Sequence, residues 1–217
     1  MNPAPPVTTA RIASYPRHAV FVTFEGIDGS GKSTQIDLLR AALEAEGRTV
    51  VATREPGGTE FGEHVRELVL AGPEMTPWAE AALFAAARSE LVTRVIQPAL
   101  EAGHDVLCDR YIDSSLAYQG IARGLGVDRV LELNLEATRG LLPDRTFLLL
   151  VDPAAAGARA TGRLDRIEST EGDFMARVDA AYRELAALFP RRVEAFDGTL
   201  PATELAEMIL GRVRATA

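Results

Sequence analysis

Lysine is nearly absent from this chain. Lys32 is the only one among the 23 basic residues; the rest are arginine. Cysteine is equally scarce. Cys108 stands alone in a segment that reads as a strand, which excludes a disulfide framework and points to a reducing compartment. A small buried core residue is a better reading of it than a catalytic thiol. No apolar run reaches the length of a membrane span, and the N-terminus has no apolar signal-peptide core, so a cytoplasmic protein away from membranes is expected. There is no basic run, and the net charge is −8, which argues against broad nucleic-acid binding. A few local arginines can still hold a small anion. No repeat divides the 217 residues, and the 47% hydrophobic and 25% charged fractions are those of a globular chain. One domain over 19–217 is expected, preceded by a flexible leader at 1–18 that carries Pro3, Pro5, Pro6 and Pro16.

What is present begins with Gly26, Ile27, Asp28, Gly29, Ser30, Gly31, Lys32, Ser33 and Thr34. The spacing is glycine, any four, glycine, lysine, serine or threonine. A short apolar run, 19–25, precedes it, and apolar residues at 36, 39 and 43 follow at helical spacing. Strand, glycine loop and helix form the context a phosphate loop requires. Its backbone N–H groups wrap phosphate oxygens, and the helix start adds a positive dipole end. Lys32 is placed for the β- and γ-phosphates, and the Ser33 hydroxyl for Mg²⁺. A compact charge on a flexible stem suits that task, in a chain that otherwise uses arginine.

Four further strands are expected, at 49–53, 104–111, 145–151 and 191–196. Arg54, held by the turn Pro56-Gly57-Gly58, follows the second of the five. It is either a ligand-facing arginine or a solvated turn residue, and Glu55–Pro56 is a candidate cis bond. Helices are read at 61–70, 76–102, 112–120, 127–140, from 153 to about 161, 173–189 and 201–213, with Pro98 bending the second. Phe84 and Arg88 share one helical face. They can stack on a base and bond its edge, or simply pack in the core. Asp109 and Arg110 leave the third strand as a metal-side carboxylate and a phosphate-binding arginine, or as a structural ion pair. Ser115 and Tyr118 lie on one side of the next helix. Arg159, Arg163 and Arg166 fall in a polar, glycine-hinged stretch at about 159–173, either a lid or a solvated face.

Taken together, Phe24-Glu25-Gly26, Arg54 to Thr59, Leu83 to Arg88, Asp109-Arg110-Tyr111, Ala117 to Gly120 and Leu164 to Glu168 resemble the thymidylate kinase family over about 19–213. The resemblance implies an α/β, three-layer P-loop NTPase fold with a five-stranded parallel sheet flanked by helices, and a homodimer. It implies transfer of phosphate from ATP, with Mg²⁺, to dTMP. Arg54 and Arg110 then match residues on the dTMP phosphate, Phe84 the ring stacked on thymine, and Arg88 its O4 partner. Ser115 falls where a base contact lies, Gln119 in a motif that binds substrate, and Tyr118 where a ring crowds the 2′ position. Asp28 matches an acid beside the transferring group, Ser33 and Asp109 the metal side, and Lys32, Arg166 and Arg163 the cations of transfer. Gly29 replaces the basic loop residue of some relatives, as in the subclass that draws its arginine from the lid. Another nucleoside monophosphate is the alternative acceptor. A guanine-type switch is excluded, because Asn-Lys-x-Asp needs a second lysine.

Overall fold

The computed structural model describes residues 19–159, 166, 167, 169, 170 and 173–216. The leader at 1–18, and Thr161 and Arg163 of the expected lid, lie outside the described residues.

Five parallel strands form one sheet: β1 Phe21–Glu25, β2 Val50–Arg54, β3 Asp105–Asp109, β4 Arg145–Leu150 and β5 Val193–Asp197. Their order is β2-β3-β1-β4-β5, so the expected parallel sheet is what the chain forms. The central strands are apolar on both sides because helices cover both faces. Side chains alternate along β1. Val22 and Phe24 enter one core layer, with Leu39, Leu43, Phe147, Leu149 and Ile209. Phe21 enters the other, with Leu91, Ile96, Tyr111, Leu148 and Phe174. Thr23 and Glu25 share the parity of Phe21, and that sets a carboxylate at the end of a buried strand.

The first layer is covered by α1 Lys32–Ala45 and α9 Ala202–Arg214, which pack together. Across the sheet lie α2 Glu60–Ala71, α3 Pro77–Leu91, α4 Gln97–Glu101, α5 Ile112–Ser115, α6 Val127–Thr138, α7 Pro153–Arg159 and α8 Phe174–Leu188. Thr59 caps α2, its hydroxyl accepting from Gly62 N–H at 2.9 Å, and Pro77 occupies the first position of α3. The long helix expected at 76–102 is interrupted by a π turn at Val92–Ile96, immediately before Pro98. Residue 94, whose carbonyl the ring of an α-helical Pro98 would press on, lies inside that turn. The helix expected at 112–120 likewise becomes a π turn, over Leu116–Ala122. Among the described residues no helix is long and apolar enough to cross a membrane.

Candidate active site

The loop leaving β1 can fold only with glycine at two positions. Gly26 has φ 133°, and a Cβ there would stand 2.5 Å from Leu149 O. Gly29 has φ 80°, and a Cβ there would stand 2.2 Å from Ala156 O in α7. The loop closes around Lys32, whose Nζ donates to Gly26 O at 3.0 Å and Ile27 O at 3.1 Å and reaches Asp28 Oδ1 at 3.4 Å. Burial and the neighbouring Arg110 charge press the ammonium below its ordinary range, against Asp109, Asp28 and Glu25. The side chain is therefore sheltered at the loop's centre.

Asp28 joins this loop to the end of β3. Arg110 Nη2 donates to Asp28 Oδ1 at 2.6 Å, while Nη1 donates to Ser114 Oγ at 3.2 Å and Tyr182 Oη at 3.1 Å. Arg110 has φ 68°, in the left-handed region. Glu25 holds the turn that follows. It accepts from Tyr111 N–H at 2.8 Å, Ser114 N–H at 3.2 Å, Ser114 Oγ at 2.6 Å and Tyr182 Oη at 2.9 Å. Burial first, then the Asp113 charge, pushes the Glu25 carboxyl up to about 7. Ser114 and Tyr182 carry no motif signal of their own. Glu25 belongs to the Phe24-Glu25-Gly26 motif, and its parity with Phe21 and Thr23 puts it on a buried face.

Beside Arg110 opens a cavity of about 140 Å³, lined among others by Arg54, Phe84, Asp109, Arg110, Ser115, Tyr118 and Gln119. Residues drawn from β2, α3, β3 and the second π turn thus converge there. Arg54 closes β2 rather than following it, and donates to Glu63 Oε1 at 2.9 Å and Oε2 at 3.0 Å. The Glu55–Pro56 bond is cis.

Arg88 sits differently from the expectation of a direct base contact. It is 1% exposed, lies outside the cavity lining, and has a protein partner for each of its five donors. Nε bonds Glu55 Oε2 at 2.7 Å, Nη1 bonds Ser115 Oγ at 3.0 Å and Asn134 Oδ1, and Nη2 bonds Tyr111 O at 2.9 Å and Glu55. In this arrangement it supports the lining residues Glu55 and Ser115 from behind. Arg166 is also engaged away from the phosphate loop, with Nε on Val69 O at 2.9 Å and Nη2 on Glu80 Oε2 at 2.8 Å.

A metal site has two candidate groups. Asp109 Oδ1 is buried without a hydrogen-bond partner, and Ser33 stands exposed in the first turn of α1. No cluster of three or more His, Cys, Asp or Glu side chains is found among the described residues. One carboxylate and one hydroxyl fit a hard cation such as Mg²⁺ that takes its other ligands from phosphate and water. A second hollow opens at the carboxyl ends of β4 and β5, lined by Asp152, Arg183, Asp197 and Thr199. A Cβ at Gly198 would stand 3.2 Å from Ser30 O, so that turn packs directly on the phosphate loop.

A family model described as thymidylate kinase matches residues 24–209. A thymidylate kinase of Bifidobacterium longum is 50% identical over 185 residues, covering 83% of this chain and 90% of that protein. Those of Clavibacter michiganensis and Leifsonia xyli are each 50% identical over 200 and 201 residues, covering 90% and 91% of this chain and 95% of either relative. With the family model spanning most of the sheet and its helices, and relatives matched almost end to end, the chain belongs to the thymidylate kinase family.

Proposed function

We propose that the chain moves the γ-phosphoryl group of ATP directly onto the phosphate of dTMP, giving dTDP and ADP for nucleotide biosynthesis. The observation that carries this reading is the contact between Arg110 and Asp28, which sets the mouth of the aromatic cavity against the loop around Lys32. A phosphate monoester is already ionised, so no strong base and no covalent intermediate are needed. Catalysis is positioning and charge neutralisation: an acceptor oxygen approaches the γ-phosphorus in line while fixed cations absorb the spreading charge.

Lys32 moves from its loop carbonyls to the β- and γ-phosphates, and the Gly26–Thr34 backbone cradles them. Arg110 and Arg54 hold the acceptor phosphate, with Glu63 and Ser114 keeping both guanidiniums aimed. Phe84 stacks on the base, Ser115 and Gln119 meet its edge, and Tyr118 crowds the 2′ position. Arg88 acts on the base edge through Ser115. Ser33 and Asp109 would hold Mg²⁺, which when bound neutralises phosphate charge and orients the donor. Arg163 is retained as a candidate cation for the transfer, whereas Arg166 is bound elsewhere in this arrangement. The hollow beside Thr199 suits the donor base. We place the enzyme in the cytoplasm, and we read it as a homodimer, for which the exposed Phe61 and Leu68 on α2 offer a surface.

The test is ADP release with ATP and Mg²⁺ against a panel of nucleoside monophosphates. dTMP should give the highest kcat/KM. dUMP should be poorer by no more than the 1–3 kcal/mol, roughly, that one methyl group can supply. A preference for dCMP or UMP would replace this reading with that of a different monophosphate kinase.

A further inference from the structure

Away from the reacting atoms, several elements meet on one buried carboxylate. Glu80 in α3 is 1% exposed. It accepts from Gln119 Nε2 at 3.0 Å, from Arg123 Nε and Nη2, each at 3.3 Å, and from Arg166 Nη2 at 2.8 Å. Arg166 is fastened twice more, its Nε on Val69 O and its backbone N–H on Leu70 O, each at 2.9 Å. Arg123 continues to Thr170 Oγ1 at 3.4 Å, and its guanidinium lies 4.4 Å from the centroid of the Phe174 ring. α2, α3, the second π turn and the start of α8 are thereby tied to residues 166 and 170.

The residues beside these ties line the base cavity. Leu70 carries the carbonyl that binds the Arg166 N–H, Ile167 follows Arg166, and Gln119 is itself a Glu80 partner; all three face the cavity with Phe84 and Tyr118. We infer that Glu80 is a positioning residue for the acceptor nucleotide, fixing Gln119 directly and Ile167 through Arg166 as walls of the base pocket. The inference rests on the dTMP reading above. It gives Arg166 a task in acceptor binding and removes it from the phosphoryl group. Arg123 and Arg166 are only 19% and 15% exposed, so without Glu80 two largely sheltered cations would lose the carboxylate they share.

The test uses the full chain with Glu80→Gln, Arg166→Gln and the double substitution. Steady-state kinetics with each substrate varied are combined with calorimetric dTMP binding and thermal melts. Loss of a charge-assisted bond predicts that KM and Kd for dTMP rise about tenfold in each single variant. kcat and the KM for ATP should stay within about threefold, and the double variant should be no worse than the singles, because both break one connection. A kcat fall of about a hundredfold in Arg166→Gln with dTMP binding unchanged would return Arg166 to the transfer step and overturn the inference. Additive losses, or unchanged dTMP affinity in both singles, would overturn it equally. If Glu80→Gln melts below the assay temperature, Glu80→Asp paired with Arg166→Gln decides by the same comparison. A parent chain that binds dTMP without releasing ADP would fault the transfer reading alone, since the calorimetric comparison still reads the positioning.

Discussion

At Arg110 the backbone adopts a φ that costs an ordinary side chain roughly 1–2 kcal/mol. What holds it there is visible: its own N–H on Phe24 O at 2.9 Å, and its guanidinium on Asp28, Ser114 and Tyr182. The strained turn is what aims the guanidinium at the phosphate loop. Arg110→Gly should therefore leave the melting temperature nearly unchanged, since relief of strain offsets the lost bonds, while kcat/KM for dTMP falls by about a hundredfold or more. Steady-state kinetics alongside a thermal melt separate these effects; a loss of stability with activity retained would contradict the argument. Phe84 works by area rather than charge. Phe84→Ala should cost about 1–3 kcal/mol of base stacking, seen as weaker dTMP binding by calorimetry with kcat changed far less.

At the scale of the element, β1 ends in a carboxylate that it cannot solvate. Glu25 is raised from 4.5 to about 7 by burial and by Asp113, with Arg110, Ser114 and the Tyr111 N–H opposing. Between these values the folded chain keeps a proton that the unfolded chain has released, so this group's contribution to stability falls as pH rises through that window. The full loss is on the order of 3 kcal/mol. Urea unfolding at about pH 5.5 and pH 8 should show a decline in the parent that is smaller in Glu25→Gln. Equal slopes in the two proteins would count against a raised Glu25. Glu80 behaves oppositely. Its burial is outweighed by Gln119, Arg166 and Arg123, its carboxyl lies below the ordinary range, and its contribution is lost only as pH falls below that window.

Elements like these differ in how openly the sequence announces them. The strands and the phosphate loop were legible because their signals are local: an apolar run, then glycines at fixed spacing, then helical periodicity. Phe84, Ser115 and Tyr118 were legible as faces of helices. The π turns were not, since nothing in a residue's propensity distinguishes them from α-helix; only Pro98 hinted at one. Nor were the partners of Arg88 and Arg166. Glu55 lies 33 residues from Arg88, and Glu80 lies 86 from Arg166. A carboxylate that far away in sequence becomes a partner only once the layers are stacked.

Over the whole molecule, the strand order brings the carboxyl ends of β1, β2 and β3 to one edge, so Lys32, Arg54 and Asp109 meet although they span most of the first half of the chain. The outer side of α2 carries the other large-scale signal. Phe61 and Leu68 are 46% and 42% exposed, and they are seven residues apart on one helical stripe. If that stripe is the dimer surface, Phe61→Asp with Leu68→Asp should convert a dimer to a monomer by light scattering, without unfolding it; an unchanged mass would move the interface elsewhere. The scarcity of lysine has its own use. Because Lys32 holds the chain's only ε-amino group, an amine-selective reagent has a single lysine target, and ATP phosphates bound on the loop would cover it. Mass-spectrometric labelling with and without nucleotide would then read donor-site occupancy from one peptide.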